Sequence, residues 1–304
     1  MLRSALLHAS ESELARRAVT GWALPRRLAL RFVAGDTLEE GISAAIALGR
    51  QGKSATLDYL GESVATAGEA RAAAKVYLDA LARIAGERLD CGVSVKPTQM
   101  GLHVDPNLAR DLIAGIAAAA ERAGAHVTLD MEGSDVTEAT IGLVEDLRAA
   151  DHREIGCAVQ AYLRRTWDDL GRLNAARASV RLCKGAYAEP PTVAFPTKTE
   201  VDVNYATCAD LLLREGAYPR IATHDHVQID NVKLLAAHLG LPREAFEFQM
   251  LHGVRTPLQD RLSKDGYRVR VYVPFGQQWY PYLMRRLAER PANLAFFLRA
   301  LRSG

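Results

Sequence analysis

Four cysteines in 304 residues, none in a CxxC pair, give little from which to build a metal knuckle or a disulfide framework. Cys91, Cys157, Cys183 and Cys208 stand apart in apolar surroundings and read as reduced, buried thiols, which points to the cytoplasm. Charge of one sign is also missing. A formal net charge of +2 leaves no electrostatic footprint for nucleic acid, so no nucleic-acid partner is expected. The opening MLRSALLHASESELARR lacks the uninterrupted apolar core of a signal peptide. No window approaches the roughly 20 apolar residues of a membrane span, although peripheral contact at the inner face of the cell membrane stays open. No linker or low-complexity break interrupts the chain, which implies a single domain over 1–304, with 1–52 as an N-terminal helical extension. No GxGxxG follows a strand-like run, which weakens a doubly wound dinucleotide-binding sheet.

What the chain does have is rhythm. Half of it is hydrophobic, ample for one large core. After a helical first fifty residues, short apolar, β-branched runs at 55–60, 91–96, 127–131, 156–160, 180–184, 221–224, 246–251 and 269–273 alternate with Ala-rich segments of helical period, such as 68–84, 107–123, 136–149 and 201–215. Asp36 and Glu39 form a candidate capping box for the helix that runs to about Arg50, with Gly52 as its stop. Strands buried on both faces read as continuous apolar runs. Eight such strand–helix units predict an α/β fold, a distorted (βα)8 TIM-type barrel with N-terminal helices and a final helix over the barrel mouth.

A barrel makes the strand ends the place to look for chemistry. Lys96 closes VSVK. Asp130 closes VTLD and is followed by Met131 and Glu132. Gln160 closes CAVQ. Arg181 and Lys184 sit in VRLCK, ahead of Gly185, Ala186 and Tyr187. Thr223 and His224 close IATH, Gln249 and Leu251 lie in FEFQML, and Tyr272 lies in VRVYVPF. So many charged or hydrogen-bonding groups at strand ends are costly unless a polar ligand satisfies them. After the last strand, Trp279 to Arg290 has a helical period that sorts Tyr282, Arg285, Arg286 and Glu289 onto one stripe and Tyr280, Leu283, Met284 and Leu287 onto the other. Two adjacent guanidiniums suit a carboxylate or phosphate, and Glu289 is spaced to orient them. An ordinary solvated face with surface ion pairs is the plainer alternative.

Three chemistries compete for this rim. His224-Asp225-His226 has the look of a metal-binding HxH pair, but no third and fourth ligand follow at suitable spacing. Lys96 or Lys184 could form a Schiff base, yet Asp130 is placed to keep Lys96 charged, and an ammonium is no nucleophile. A flavin explains more: Arg181, Gln160, Lys184, Thr223, His224 and Gln249 supply donors for ring and phosphates, and the paired arginines would hold a substrate carboxylate above the ring. A barrel kept as a binding or regulatory module remains the non-enzyme alternative.

The motifs VSVKPTQMGL at 92–101, VTLDMEGS at 127–134, VRLCKGAY at 180–187, ATHD at 222–225, FEFQMLHGVR at 246–255 and YVPFGQQWYPYLMRRLAERPANL at 272–294 resemble the proline dehydrogenase family, in its single-function bacterial form. The resemblance runs from about Ala55 to the C-terminus, and more loosely over the preceding helices. It implies noncovalent FAD, oxidation of L-proline to Δ1-pyrroline-5-carboxylate, and electron transfer to a quinone at the membrane. By motif, Arg285, Arg286 and Lys96 would bind the proline carboxylate, with Asp130 and Glu289 orienting them. Tyr272 and Tyr282 would wall the ring, with Tyr187 and Leu251 nearby. Arg181, Gln160 and Lys184 would sit at the flavin, and Thr223, His224, Gln249, Lys198, Met131, Gly185 and Ala186 would serve the rest of FAD, with Arg286 and Glu289 adjoining it. Cys183 stands where an aliphatic residue is usual, a small apolar swap. Ala188 stands where a larger side chain is frequent. No fused aldehyde dehydrogenase half is present, so the product would pass to a separate pyrroline-5-carboxylate dehydrogenase. Membrane contact through the apolar positions of 293–302 is a further, weaker expectation than packing on the barrel.

Overall fold

Residues 30–289 are described in a computed structural model, with side chains to residue 284. The predicted helices before residue 30 and the apolar segment at 293–302 lie outside the described residues. Eight strands, β1 (Ser54–Tyr59), β2 (Cys91–Val95), β3 (Val127–Leu129), β4 (Ile155–Gln160), β5 (Ser179–Cys183), β6 (Pro219–Ala222), β7 (Glu247–Leu251) and β8 (Arg268–Phe275), pair in parallel in chain order, and β8 closes on β1. Helix α1 (Leu38–Gly49) precedes the barrel. Seven helices then follow β1 to β7 in turn: α2 (Ala67–Glu87), α3 (Pro106–Ala123), α4 (Ser134–Ala149), α5 (Thr166–Ala175), α6 (Lys198–Glu215), α7 (His226–His238) and α8 (Thr256–Lys264). Helix α9 (Trp279–Glu289) follows β8. The expected eight-unit barrel is present.

Local chemistry accounts for the helix starts. Thr66 with Glu69 and Thr197 with Glu200 form capping boxes at α2 and α6, and Asp105 with Pro106 opens α3. At α1 the box is Thr37 with Glu40, one residue later than the expected Asp36 with Glu39. Both pairs have the right spacing. Glu40 prevails because its carboxylate collects the Asp36 and Thr37 N–H groups at 2.8 and 2.9 Å while the Thr37 hydroxyl accepts from Glu40 N–H.

The strands are not the uniform apolar runs the sequence suggested. Their outward residues, such as Leu57, Val93, Leu129, Cys157, Leu182, Ile221, Phe248 and Val271, form the apolar layer under the helices. The alternate residues point inward, and they are mostly polar and buried: Thr56, Asp58, Ser94, Thr128, Arg181, Arg220, Glu247, Gln249 and Arg270. The lumen is therefore a polar core inside an apolar sleeve.

One feature distorts the barrel. Helix α1 packs outside β8 and β1, with Gly41 against Phe275 and Leu57. A Cβ on Gly41 would stand 3.2 Å from the Phe275 ring, so the helix approaches this closely only because the residue is glycine. Helix α1 takes the place outside β8 and β1. Helix α9 starts beyond the short turn at residues 276–278, on the C-terminal rim.

Candidate active site

At that rim the lumen holds a compact charged cluster. Lys96 follows β2, and its ammonium donates to Asp58 at 2.6 Å and to Asp130 at 3.3 Å. Asp130 lies just past β3 and collects three more donors: Tyr272 hydroxyl at 2.7 Å, Ser94 hydroxyl at 2.6 Å and Arg181 Nη1 at 2.6 Å. The Arg181 guanidinium also lies 5.1 Å from the centre of the Tyr272 ring, a cation–π contact. Strand register makes this possible, because Asp58, Ser94 and Arg181 all sit at inward positions of β1, β2 and β5.

The electrostatics follow from burial and pairing. Burial would depress the Lys96 ammonium, but Asp58, Tyr272 and Asp130 outweigh it and hold Lys96 well above its ordinary value. Lys96 is thus held as a cation, which disfavours it as a Schiff-base nucleophile. Asp130 is also buried, yet Lys96, Arg181 and the Ser94 and Tyr272 hydroxyls keep its carboxyl below the usual range. Asp58 goes the other way: burial raises it more than Lys96 lowers it. Farther round the rim, burial pushes Glu132 up to about 7 despite donation from Thr98 N–H and hydroxyl.

A second group surrounds the ends of β5 and β6. Lys184 is ion-paired to Asp202 and, at 2.8 Å, to Asp225, and Lys198 at the start of α6 pairs with Asp202 as well. Thr223 Oγ1 accepts from Asp225 N–H at 3.0 Å, and His224 Nε2 accepts from Leu251 N–H at 3.0 Å. His224 and His226 do not face one way along a strand, because β6 ends at Ala222, Asp225 caps α7 and His226 begins it. Among the described residues no group of three or more metal-ligand side chains converges. Gln160 links the two groups: its Nε2 donates to Glu132 carbonyl at 2.9 Å, and its Oε1 accepts from Ala186 N–H at 3.3 Å. Gly185 adopts φ 113°, and a Cβ there would lie 2.1 Å from the Tyr162 ring, so this loop needs glycine.

Of the residues singled out in the sequence, Lys96, Asp130, Arg181 and Tyr272 are thus joined directly. Leu251 lies beside Tyr272 in the β7–β8 register. Met131 is buried next to the cluster, and Tyr187 packs on Tyr162 and Ala194. Gln249 lies at an inward position of β7. Its amide is engaged by Arg181 at 2.6 Å and by Glu247 at 2.6 Å, so it positions Arg181. Tyr282, assigned to the polar stripe of the last helix, is buried along with Trp279, Tyr280, Leu283 and Met284. The first half of α9 is therefore no solvated face. The side chains of Arg285, Arg286 and Glu289 lie outside the described residues. Sequence reasoning missed Asp58, the nearest partner of Lys96, and Ser94. Their signal was a polar residue repeated at i and i+2 along each run: Thr56 and Asp58, Ser94 and Lys96, Thr128 and Asp130.

The family model described as "Proline dehydrogenase" matches residues 42–299. The chain belongs to the proline dehydrogenase family. It is an oxidoreductase, and its activity is that of the first step of proline catabolism. "Proline dehydrogenase 1" of Bacillus subtilis subsp. natto is 39% identical over 99% of both chains. "Proline dehydrogenase" of Deinococcus radiodurans is 38% identical over 91% of each. Among solved structures, proline utilization A (PutA) from Bdellovibrio bacteriovorus, inactivated by N-propargylglycine, superposes with a TM-score of 0.82 at 26% identity, covering 87% of this chain and 33% of that one.

The rim fits a flavin on one observation of its own. Arg181 Nη2 is buried and has no hydrogen-bond partner, although the other donors of that guanidinium are taken. A buried guanidinium N–H left bare is costly, and an acceptor brought into the mouth would satisfy it.

Proposed function

We propose that this chain binds FAD noncovalently at the rim and oxidises L-proline to Δ1-pyrroline-5-carboxylate, with the electrons passed on to a quinone. The bare Arg181 Nη2 beside the Lys96–Asp58–Asp130 cluster carries the reading, because it sets an unsatisfied donor next to a fixed cation. When bound, FAD supplies the hydride acceptor, its N5. The protein supplies position and charge.

Lys96 takes one side of the proline carboxylate, and its own charge is secured by Asp58 and Asp130. Arg285 and Arg286, with Glu289 orienting them, clamp the acid from α9 in a fork that a single ammonium cannot provide. Tyr272 and Tyr282 wall the pyrrolidine ring, with Leu251 and Tyr187 adjoining. Arg181, Gln160 and Lys184 face the flavin ring. Thr223, His224, Lys198, Met131, Gly185 and Ala186 hold the remainder of FAD. The substrate amine must lose a proton before a hydride can leave its neighbouring carbon, since an ammonium has no lone pair to assist. Asp130, held below the ordinary range, is a poor acceptor for it, which leaves bulk water as the alternative. The product then goes to a separate pyrroline-5-carboxylate dehydrogenase. Peripheral association with the membrane would bring the quinone within reach. Among the described residues no helix is long and apolar enough to cross a membrane.

The test is proline-dependent reduction of an artificial electron-accepting dye by the pure protein loaded with FAD. Saturable turnover supports the reading. No turnover by protein that retains FAD overturns it.

A further inference from the structure

The opposite mouth of the barrel is chemically distinct. At the N-terminal ends of the strands lies a cavity of about 410 Å³, within the roughly 300–1,000 Å³ range of small-molecule sites. Six arginines line it: Arg148, Arg153, Arg177, Arg220, Arg268 and Arg270. The lining acids are Asp90 and Glu154. Asp90 is shared between Arg268 at 2.8 Å and Arg270 at 3.1 Å, and Asp151, outside the lining, pairs with Arg153 at 2.9 Å. Arg177 has no ion-pair partner among the described residues.

Two buried groups at the cavity's inner wall are left short of hydrogen-bond partners. Arg220 is buried, and its Nε has no hydrogen-bond partner. Its nearest carboxylate, Glu247, is 3.8 Å away, and Arg270 already holds both oxygens of that carboxylate at 2.9 and 3.1 Å. His126 is buried too, and its Nε2 is likewise bare. The His126 ring fits there because residue 92 is glycine: a Cβ would meet the ring at 2.4 Å. Positive charge is under-compensated at this end. Burial, only partly offset by Glu247, brings the Arg220 guanidinium down to about 10. Burial and then Arg220, Arg270, Arg181 and Arg268 hold His126 neutral, well below its usual range.

We propose that this cavity is a binding site for a small multivalent oxyanion, a phosphorylated or polycarboxylate metabolite, distinct from the active site and at the other end of the lumen. Guanidiniums recognise both anion types in a fork, and the volume admits a ligand larger than one phosphate. Arg220 and His126 line its inner wall, and Arg177 and Arg268 its outer one.

The FAD-loaded protein is titrated by calorimetry with pyrophosphate, citrate and inorganic phosphate, with KCl holding ionic strength constant. One-to-one saturable binding is expected for pyrophosphate or citrate, and whichever binds tighter identifies the source class. Arg177→Glu, on the exposed lip, should weaken that binding at least tenfold while proline-dependent dye reduction stays unchanged. A second reading does not depend on the folding of Arg177→Glu. The anion should raise the titration midpoint of the His126 ring signal in histidine-labelled protein, the signal being assigned by its loss in His126→Gln. Absence of saturable binding by all three anions overturns the proposal, as does binding indifferent to Arg177→Glu that leaves the His126 signal unmoved.

Discussion

Replacing Asp58 by Asn tests the logic of the polar lumen most sharply, because an internal comparison is available. Lys96 and Asp58 are 2.6 Å apart with side chains 7% and 1% exposed. Lys75 and Asp79 on α2 are also 2.6 Å apart, but 71% and 51% exposed. Distance cannot distinguish these pairs; solvent can. Removing one partner of a buried pair costs about 3–5 kcal/mol, since the other charge is stranded. Asp58→Asn belongs at the low end, about 3 kcal/mol, because the amide oxygen can still accept and Asp130 remains 3.3 Å from Lys96. An exposed i,i+4 pair contributes about 0.3–0.5 kcal/mol. With a urea dependence of about 3 kcal/mol per molar, Asp58→Asn should lower the unfolding midpoint by roughly 1 M, while Asp79→Asn should barely move it. Proline KM should rise in Asp58→Asn alone, as Lys96 loses its closest anchor. Equal shifts for the two variants would refute the reasoning, as would a stable Asp58→Asn protein with unaltered KM.

Glu132 makes pH a probe of the rim. Its carboxyl is raised to about 7 from an ordinary 4.5, so the folded protein keeps a proton that the unfolded chain releases. That contribution is full below about pH 4.5 and lost as pH rises through 7; relative to Glu132→Gln, the native protein should lose up to ~3 kcal/mol across that interval in denaturant melts. A pH-independent difference would contradict the raised value. Arg286→Lys keeps charge but loses the fork, so proline KM should rise and kcat/KM fall, by about tenfold for each 1.4 kcal/mol of lost interaction; an unchanged kcat/KM would remove the carboxylate clamp. Gly41→Val should destabilise by about 1–3 kcal/mol through collision with Phe275, whereas Gly49→Ala, where nothing lies within 4 Å, should be neutral or stabilising by thermal melt. Equal melting temperatures would deny the close approach of α1 to β8.

Much of this arrangement was legible along the chain because a polar residue that ends an apolar run stands out. Lys96, Asp130 and Gln160 were found that way, Arg181 as the charge inside VRLCK, and the alternation of runs with Ala-rich helical segments gave the barrel. Asp58 was not found, because ATLDYL reads as a nearly continuous apolar run unless its two faces are separated. Only closure of β1 onto β2 and β8 brings that carboxylate to Lys96. The same holds for Arg220, Glu247 and Arg270: Arg220 reaches Thr128 across the lumen, and Arg270 holds Glu247 from the neighbouring strand. The pairing of Lys184 with Asp202 depends on where α6 returns against β5, which residue spacing does not encode. Gln249 illustrates the converse: its position was legible, but its orientation toward Arg181 and Glu247 was not. The displaced cap at α1 shows how two adjacent residues with the same spacing to a glutamate can exchange roles.

The account's central claim is that the rim cluster holds a small amino acid with its C–H bond against a bound flavin. Anaerobic stopped-flow mixing of the FAD-loaded protein with L-proline tests it directly. The flavin absorbance should bleach, at a rate that saturates with proline. A flavin that stays yellow at every proline concentration, in protein that demonstrably retains FAD, would contradict the account.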